Sequence, residues 1–286
     1  MTILTEVGVM SFINHLLDLK LSVGTIKVYK AALANILFFG YGFDFDNRSM
    51  HIFMRGVENI GHRPAPVYKW NATAVANFIL NATDNSLKFL TQKALFLLLV
   101  ACGRRINDTL ASVRTPHFLK FSPDNQVLII HYAPGYRFKN DKGDNRPAPI
   151  MITRYKEIVR RKGGSANIAE VNEKLCPVKA VENYLYATRQ SNSGFLFVNP
   201  ANIDNKLNAN MASNLVEGLV KLADPSAVFS IKNTRDFSST QGWLFGASCS
   251  LLKASCHWSS LLSFTNTYFK SNINIEPRLS SVNQLQ

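Results

Sequence analysis

Apolar residues near the start of the chain recur at helical spacing. Val9, Phe12, Ile13, Leu16 and Leu17 fall at positions i, i+3, i+4, i+7 and i+8, which places them on one face of a helix. A second stripe of the same period follows a serine that is a suitable N-cap, because its hydroxyl can accept a hydrogen bond from the first helical turn. The capping serine is Ser22, and the second stripe consists of Ile26, Tyr29, Leu33, Ile36 and Leu37. A third helix is predicted over 50–60.

Two prolines interrupt the helical pattern after this region. Pro64 and Pro66 each restrict the residue before them to extended backbone. We therefore interpret residues 64–69 as a linker between a small helical domain, 1–63, and a larger domain, 70–275. Residues 276–286 are interpreted as a C-terminal tail.

The larger domain combines several helical patterns with one short group of strands. The spacing predicts helices over 71–81 and 87–102, and a short β-branched run predicts a strand over 127–130. Residues 136–138 and 148–152 flank a turn rich in Asp, Asn and Gly, which is typical of a hairpin. The predicted fold class is mainly α with a small antiparallel β-sheet. Further helices are predicted over 177–188, 211–222, 234–245, 248–254 and 262–270.

The net charge of the chain indicates a negatively charged binding partner. The chain has 286 residues, of which 47% are hydrophobic, and a formal net charge of +13. Such an excess favours a polyanion, and we expect a nucleic acid, because each neutralised phosphate releases counterions. Lys27 falls well off the second apolar stripe and Lys30 lies near its edge, so both could reach a phosphate backbone; the alternative is a solvated helix face. The alternative is a basic surface that serves solubility alone.

Composition also argues against several classes of protein. The four cysteines form no C-x-x-C pair, so buried reduced thiols are favoured over disulfides or a zinc site. The sequence has no H-E-x-x-H motif or paired-carboxylate metal site, and we expect neither a metal nor another cofactor. The longest apolar run, 94–102, is too short to span a bilayer, so we expect an intracellular protein with no membrane partner.

A dispersed set of side chains matches the needs of phosphodiester cleavage. Such a reaction requires a nucleophile, cations on the non-bridging oxygens and an acid for the leaving oxygen. Arginine suits phosphate because its planar guanidinium can donate two hydrogen bonds at once, and a lysine on a hairpin can serve as the acid. A tyrosine surrounded by cations can serve as the nucleophile. In chain order the candidates are Arg105, Lys139, Lys232, Arg235, Trp258 and Tyr268.

Short segments around these candidates resemble the sequence boxes of the tyrosine recombinase family. Residues 103–110, Gly-Arg-Arg-Ile-Asn-Asp-Thr-Leu, resemble the box around the first catalytic arginine, in which Arg105 fits the arginine and Asp108 the supporting acid. Residues 134–139 are similar to the hairpin that ends in the catalytic lysine. Residues 175–180 and 194–198 are similar to the Leu-Cys-Pro-Val box and the Leu-Phe segment that follow in this family.

The last boxes lie in the C-terminal part of the chain. Arg235 matches the arginine of the family's His-x-x-Arg motif, in which Lys232 replaces the usual histidine. Trp258 resembles the His/Trp position, and Tyr268 resembles the nucleophile. His257 is an alternative source of an imidazole, but it lies one residue further from the tyrosine, so we favour Trp258.

The resemblance implies a fold and a reaction. It implies a helical DNA core-binding domain followed by a mixed α+β catalytic domain, and it is closest to the recombinases of DIRS-like mobile elements. The implied reaction is site-specific DNA recombination or integration through a 3′-phosphotyrosyl intermediate. It would be carried out by a homo-oligomer, a tetramer, on double-stranded DNA, and in the nucleus if the host is a eukaryote.

The family's site residues carry over one by one. Arg105 and Arg235 would bind the scissile phosphate, with added charge from Lys232. Lys139 would protonate the leaving 5′ oxygen. The indole N–H of the tryptophan would donate to a non-bridging oxygen, and the tyrosine near the C-terminus would attack the phosphorus.

Two other functions stay open at this level. Lysine at the usual histidine position motivates a catalytically decayed or domesticated DNA-binding protein of the same fold. A type IB topoisomerase-like enzyme would use the same chemistry to relax supercoils without pairing two DNA sites.

Overall fold

The computed structural model describes residues 5–60, 70–138, 149–155, 173–256 and 279. The chain divides into two compact units, Met1–Val67 and Tyr68–Gln286. In the described residues the regular elements are mostly helices, accompanied by two small antiparallel sheets. This confirms the predicted fold class. The predicted linker and the predicted helix over 262–270 lie outside the described residues.

The first unit contains three described helices, α1 (Glu6–Asp18), α2 (Val23–Tyr41) and α3 (Arg48–Ile60). Thr5 and Ser22 cap the first two, each accepting a hydrogen bond of 3.1 Å from a backbone N–H of the first turn. The helices and the loop before α3 share one apolar core. Its buried members are Val9, Ile13, Leu16, Ile26, Leu37, Phe45, Met50, Met54 and Val57.

The predicted apolar stripe of α2 is only partly correct. Ile26 and Leu37 are buried, but Tyr29 is 45% exposed and Ile36 is 60% exposed. The reason is that α2 is apolar around most of its circumference, so its periodicity does not single out the face that packs. Among the described helices, α2 alone has the length and apolar composition of a membrane span, a property that core helices and signal sequences also have.

The second unit is built around one buried helix. Helix α5 (Leu87–Cys102) is apolar on almost every side, and twelve of its residues are buried, as expected for a helix that is surrounded by other elements. It packs against three other helices and the edge of a sheet. The other described helices of this unit are α4 (Ala72–Asn81), α6 (Ile106–Leu110), α7 (Pro177–Ala187), α8 (Ala209–Ala223), α9 (Lys232–Leu244) and α10 (Cys249–Cys256).

The larger sheet has three antiparallel strands, β1 (Leu119–Phe121), β2 (Val127–Ile130) and β3 (Ile150–Thr153), with β2 in the centre. Leu128 pairs with Ile152 and Ile130 with Ile150, and all four are buried, which fixes the register of the hairpin. The expectation that 136–138 forms a strand of this hairpin is wrong. Its aromatic side chains pack on the core instead, and β3 pairs with β2.

A second, smaller sheet consists of β4 (Val198–Asn199) and β5 (Asn202–Lys206). Strand β5 is short and polar, and its sequence does not alternate between apolar and polar residues, so no strand is predicted there. The chain then enters α8, whose first turn is capped by Asn208.

Trp70 links the start of the second unit to its core. Its ring centroid lies 5.2 Å from that of Phe229, 5.1 Å from that of Phe237 and 6.2 Å from that of Phe96. Because Phe96 is on α5 and Phe237 on α9, the tryptophan holds these two helices together. Leu279, in the predicted tail, is also buried in this core.

Candidate active site

The turn between α5 and α6 strongly favours glycine. Gly103 has a φ of +61°, in the left-handed region, and its N–H donates to the carbonyl oxygen of Leu99 at 2.9 Å. A Cβ at this position would lie 2.5 Å from Sγ of Cys256 and 3.0 Å from Oγ of Ser238. The three residues, Gly103, Ser238 and Cys256, form what we call the glycine contact. It brings α9 and α10 directly against the segment that carries the first predicted arginine.

Arg105 occupies the N-cap position of α6, immediately after this turn. Its backbone is extended there, with φ −69° and ψ 151°, and its side chain does not cap the helix. The side chain is half-buried, and its Nη1 has no hydrogen-bond partner among the described residues. The guanidinium of Arg105 is therefore held at the start of a helix, beside a pocket, in a position to bind an anion.

Arg235 is buried in α9, only 3% exposed. It lies three residues before Ser238, so the two side chains share a face of the helix, and Ser238 touches the Gly103 turn. Cys256 lies in the same neighbourhood. Burial raises the pKa of its thiol to about 12, although the positive charges of Arg235 and Arg104 act to lower that pKa. The face of α9 that carries Arg235 is thus directed toward the turn that carries Arg105.

Lys232 is the first residue of α9 and is exposed. It precedes Arg235 by one helical turn. A cation at a helix N-terminus meets the positive end of the helix dipole, an arrangement that a bound anion would relieve. This position is consistent with the added positive charge predicted for Lys232.

Arg104 is a buried cation to which the sequence assigns no role. It is 3% exposed; its Nη2 donates to the carbonyl oxygen of Ala254 at 3.4 Å, and its guanidinium lies 5.4 Å from the ring centroid of Phe138. Its Nε and Nη1 have no hydrogen-bond partner among the described residues. Nothing in an Arg-Arg pair indicates which guanidinium will be buried, so only the structure separates the roles of the two arginines.

Asp108, the predicted supporting acid, is buried and bound to a residue of the hairpin segment. The hydroxyl of Tyr136 donates to its Oδ1 at 2.6 Å. Tyr136 stacks on Tyr132 with ring centroids 5.6 Å apart, and burial together with the hydrogen bond to Asp108 raises its pKa. Asp108 therefore ties the α6 segment to the chain that leads into the hairpin, a partnership that the sequence did not predict.

The remaining predicted residues fall into two groups. Lys139, His257, Trp258 and Tyr268 lie outside the described residues. Lys27 and Lys30 belong to the first unit, where each forms an ion pair with a carboxylate: Lys27 with Glu58 at 2.5 Å, and Lys30 with Asp46.

The fold is that of known DNA recombinases. The mainly helical chain with its small antiparallel sheets matches solved structures of tyrosine recombinases and integrases. No family model matches the sequence, and no curated protein matches it either.

Two of these structures illustrate the match. The XerH site-specific recombinase bound to its difH substrate in a pre-cleavage complex has a TM-score of 0.60 and 16% identity, over 91% of this chain and 66% of that chain. The Tn1549 transposon integrase in complex with transposon right-end DNA has a TM-score of 0.60 and 15% identity, over 94% of this chain and 82% of that one. At these identities the likeness establishes the fold.

Proposed function

We propose that this protein is a site-specific tyrosine recombinase of a mobile element, related to the DIRS-like recombinases. The observation that carries this proposal is the glycine contact, through which the Arg105 segment and the Arg235 face of α9 meet. Two arginines distant in sequence can then hold one phosphate from two sides. The shared fold with two DNA-bound recombinases supports the same conclusion.

The arginines act on the charge that develops during cleavage. Arg105 and Arg235 donate hydrogen bonds to the non-bridging oxygens of the scissile phosphate, and Lys232 adds positive charge at the N-terminus of α9. Because Arg235 is almost fully buried, its charge is little screened by water, and its interaction with a phosphate is correspondingly stronger. Trp258 donates its indole N–H to a non-bridging oxygen.

Each step of the reaction breaks one phosphate ester bond and forms another in its place. The hydroxyl of Tyr268 gives its proton to solvent and its oxygen attacks the phosphorus, the bond to the 5′ oxygen breaks, and Lys139 gives that oxygen a proton. The product is a 3′-phosphotyrosyl link and a free 5′ hydroxyl. A 5′ hydroxyl from a partner strand then reverses the step, so no external energy source is required. Exchange between two duplexes calls for a homotetramer on DNA, which would act in the nucleus if the host is a eukaryote.

Covalent trapping tests this proposal directly. The probe is a pool of nicked DNA duplexes with a randomised centre, from which the short cleaved strand diffuses away and leaves the enzyme attached. We expect wild-type protein to form a complex that survives denaturation with detergent, and Tyr268→Phe to form none, because phenylalanine has no nucleophile. The matched control is Tyr186→Phe, a change at an exposed tyrosine of α7, which should trap DNA like wild type.

The same experiment identifies the competing function. If the wild-type protein retains duplex DNA in a salt-sensitive manner but yields no detergent-stable complex, the cleavage proposal is wrong. The chain is then a DNA-binding protein that keeps the fold without the chemistry.

A further inference from the structure

A basic pocket lies beside Arg105. It has a volume of about 790 Å³ and is bounded by α6, by the chain before the hairpin and by the junction of β5 with α8. Three cationic side chains line it, one from each of these segments. They are Arg105, Arg137 and Lys206.

The described lining of this pocket has little negative charge to balance these cations. Its carboxylate is Asp108, which already accepts the hydrogen bond from Tyr136 at 2.6 Å. Even without Arg137, the two cations Arg105 and Lys206 outnumber this one acid, and a concave surface concentrates the resulting positive field. The natural ligand of this pocket is therefore an anion.

Lys206 is the member best placed to meet that anion. It ends β5, and its Nζ lies 3.9 Å from the ring centroid of Phe195, so the amine is held over an aromatic face. Partial burial lowers the pKa of Lys206, which means that its charge has lost some hydration. Among the described residues no carboxylate lies within ion-pair distance to replace that hydration. The adjoining Asn208 caps α8 through its Oδ1, and its Nδ2 group can donate to a ligand.

We propose that this pocket binds a second phosphate of the DNA backbone, next to the scissile one, and that Lys206 is its main contact. The inference rests on the proposed function, which assigns Arg105 to the scissile phosphate. Since Arg105 lines the same pocket as Lys206, a strand held by the arginine presents its neighbouring phosphate to the lysine. Backbone phosphates follow one another along each strand at about 3.4 Å of helical rise.

Salt dependence of DNA binding provides the test. The probe is a fluorescent duplex of about 30 base pairs, long enough to exceed the footprint of one domain, and the affinity is measured from about 50 to about 200 mM KCl. We expect the slope of log affinity against log salt to be smaller by about 0.9 for Lys206→Gln than for wild type, the amount that one lost phosphate contact removes. Lys206→Arg should keep the wild-type slope.

The control variant loses the same single positive charge as Lys206→Gln, but from a lysine in a different environment. Lys179 on α7 already forms ion pairs with Glu173 at 3.8 Å and with Glu182 at 3.7 Å, so Lys179→Gln should leave the slope unchanged. Thermal unfolding followed by circular dichroism verifies that all variants are folded. Equal slopes for wild type and Lys206→Gln would overturn the assignment of Lys206.

Failure of this inference can be separated from failure of the proposed function. Wild-type protein that forms the covalent complex while Lys206→Gln keeps the full slope contradicts only the second phosphate contact. A reduced slope for Lys206→Gln without any covalent complex supports the contact and contradicts recombination.

Discussion

At the scale of single residues, two neighbouring tyrosines have different energetic roles. Tyr132 and Tyr136 stack on one another, but only the hydroxyl of Tyr136 has a described partner, Asp108. The hydroxyl of Tyr132 is buried without a hydrogen-bond partner among the described residues. Removing each hydroxyl in turn therefore compares a satisfied polar group with an unsatisfied one in the same cluster.

We expect Tyr136→Phe to lower the free energy of unfolding by about 2 kcal/mol, because it leaves a buried carboxyl without its donor. Tyr132→Phe should instead raise it by about 1 kcal/mol, since a buried hydroxyl without a hydrogen-bond partner has lost its hydration and gained nothing in return. Urea unfolding followed by circular dichroism measures both. Equal changes for the two variants would show that the bond between Tyr136 and Asp108 makes no net contribution to stability.

At the scale of elements, the glycine contact sets how closely three helices approach. Gly103 combines a positive φ with a neighbour that leaves no room for a Cβ. Gly135 offers a matched comparison in the same unit, because its φ of +78° is also left-handed while no atom lies within 4 Å of its Cβ position. The pair separates the cost of backbone conformation from the cost of crowding.

We expect Gly135→Ala to cost about 1 kcal/mol, the strain of a left-handed alanine. Gly103→Ala should cost about 3 kcal/mol, because it adds the overlap with Sγ of Cys256 to the same strain. Chemical unfolding gives both values. If the two losses are alike, the helices separate easily and the contact is loose.

The elements that the sequence predicted best are those with one strong local signal. Val127–Ile130 and Leu87–Cys102 have the predicted bounds, since the first is a continuous apolar run and the second lies between the capping residues Ser86 and Gly103. Short α6 and the β4–β5 pair were not predicted, because neither has an apolar period, and α6 is stabilised by its surroundings. The Asp-, Asn- and Gly-rich segment after residues 136–138 predicted a hairpin that these residues flank, but their aromatic side chains serve core packing.

The site could be predicted less completely than these helices and strands. The positions of Arg105, Asp108 and Arg235 within sequence boxes made them candidates, but a box does not determine which groups touch. The bond between Tyr136 and Asp108, the burial of Arg104 and the place of Lys206 all depend on contacts between segments far apart in the chain. Such contacts leave no periodic signal in the sequence.

At the scale of the whole molecule, the two units each contain their own apolar core. We expect the fragment 68–286 to fold alone, because Trp70 and the helices around α5 form a complete core within it. Thermal unfolding of the fragment should be cooperative, with a midpoint within about 5 °C of the matching transition in the full chain. A fragment without a cooperative transition would show that the second unit depends on residues 1–67.

The glycine contact also restricts how the sequence can change over time. Because Gly103, Ser238 and Cys256 fill one small space, the effect of a substitution at one of them depends on the residues present at the other two. A larger side chain at position 103 becomes acceptable only after position 256 has become smaller, so the order in which mutations arise matters. Substitutions here are expected to be epistatic, and the three positions should diverge together or not at all.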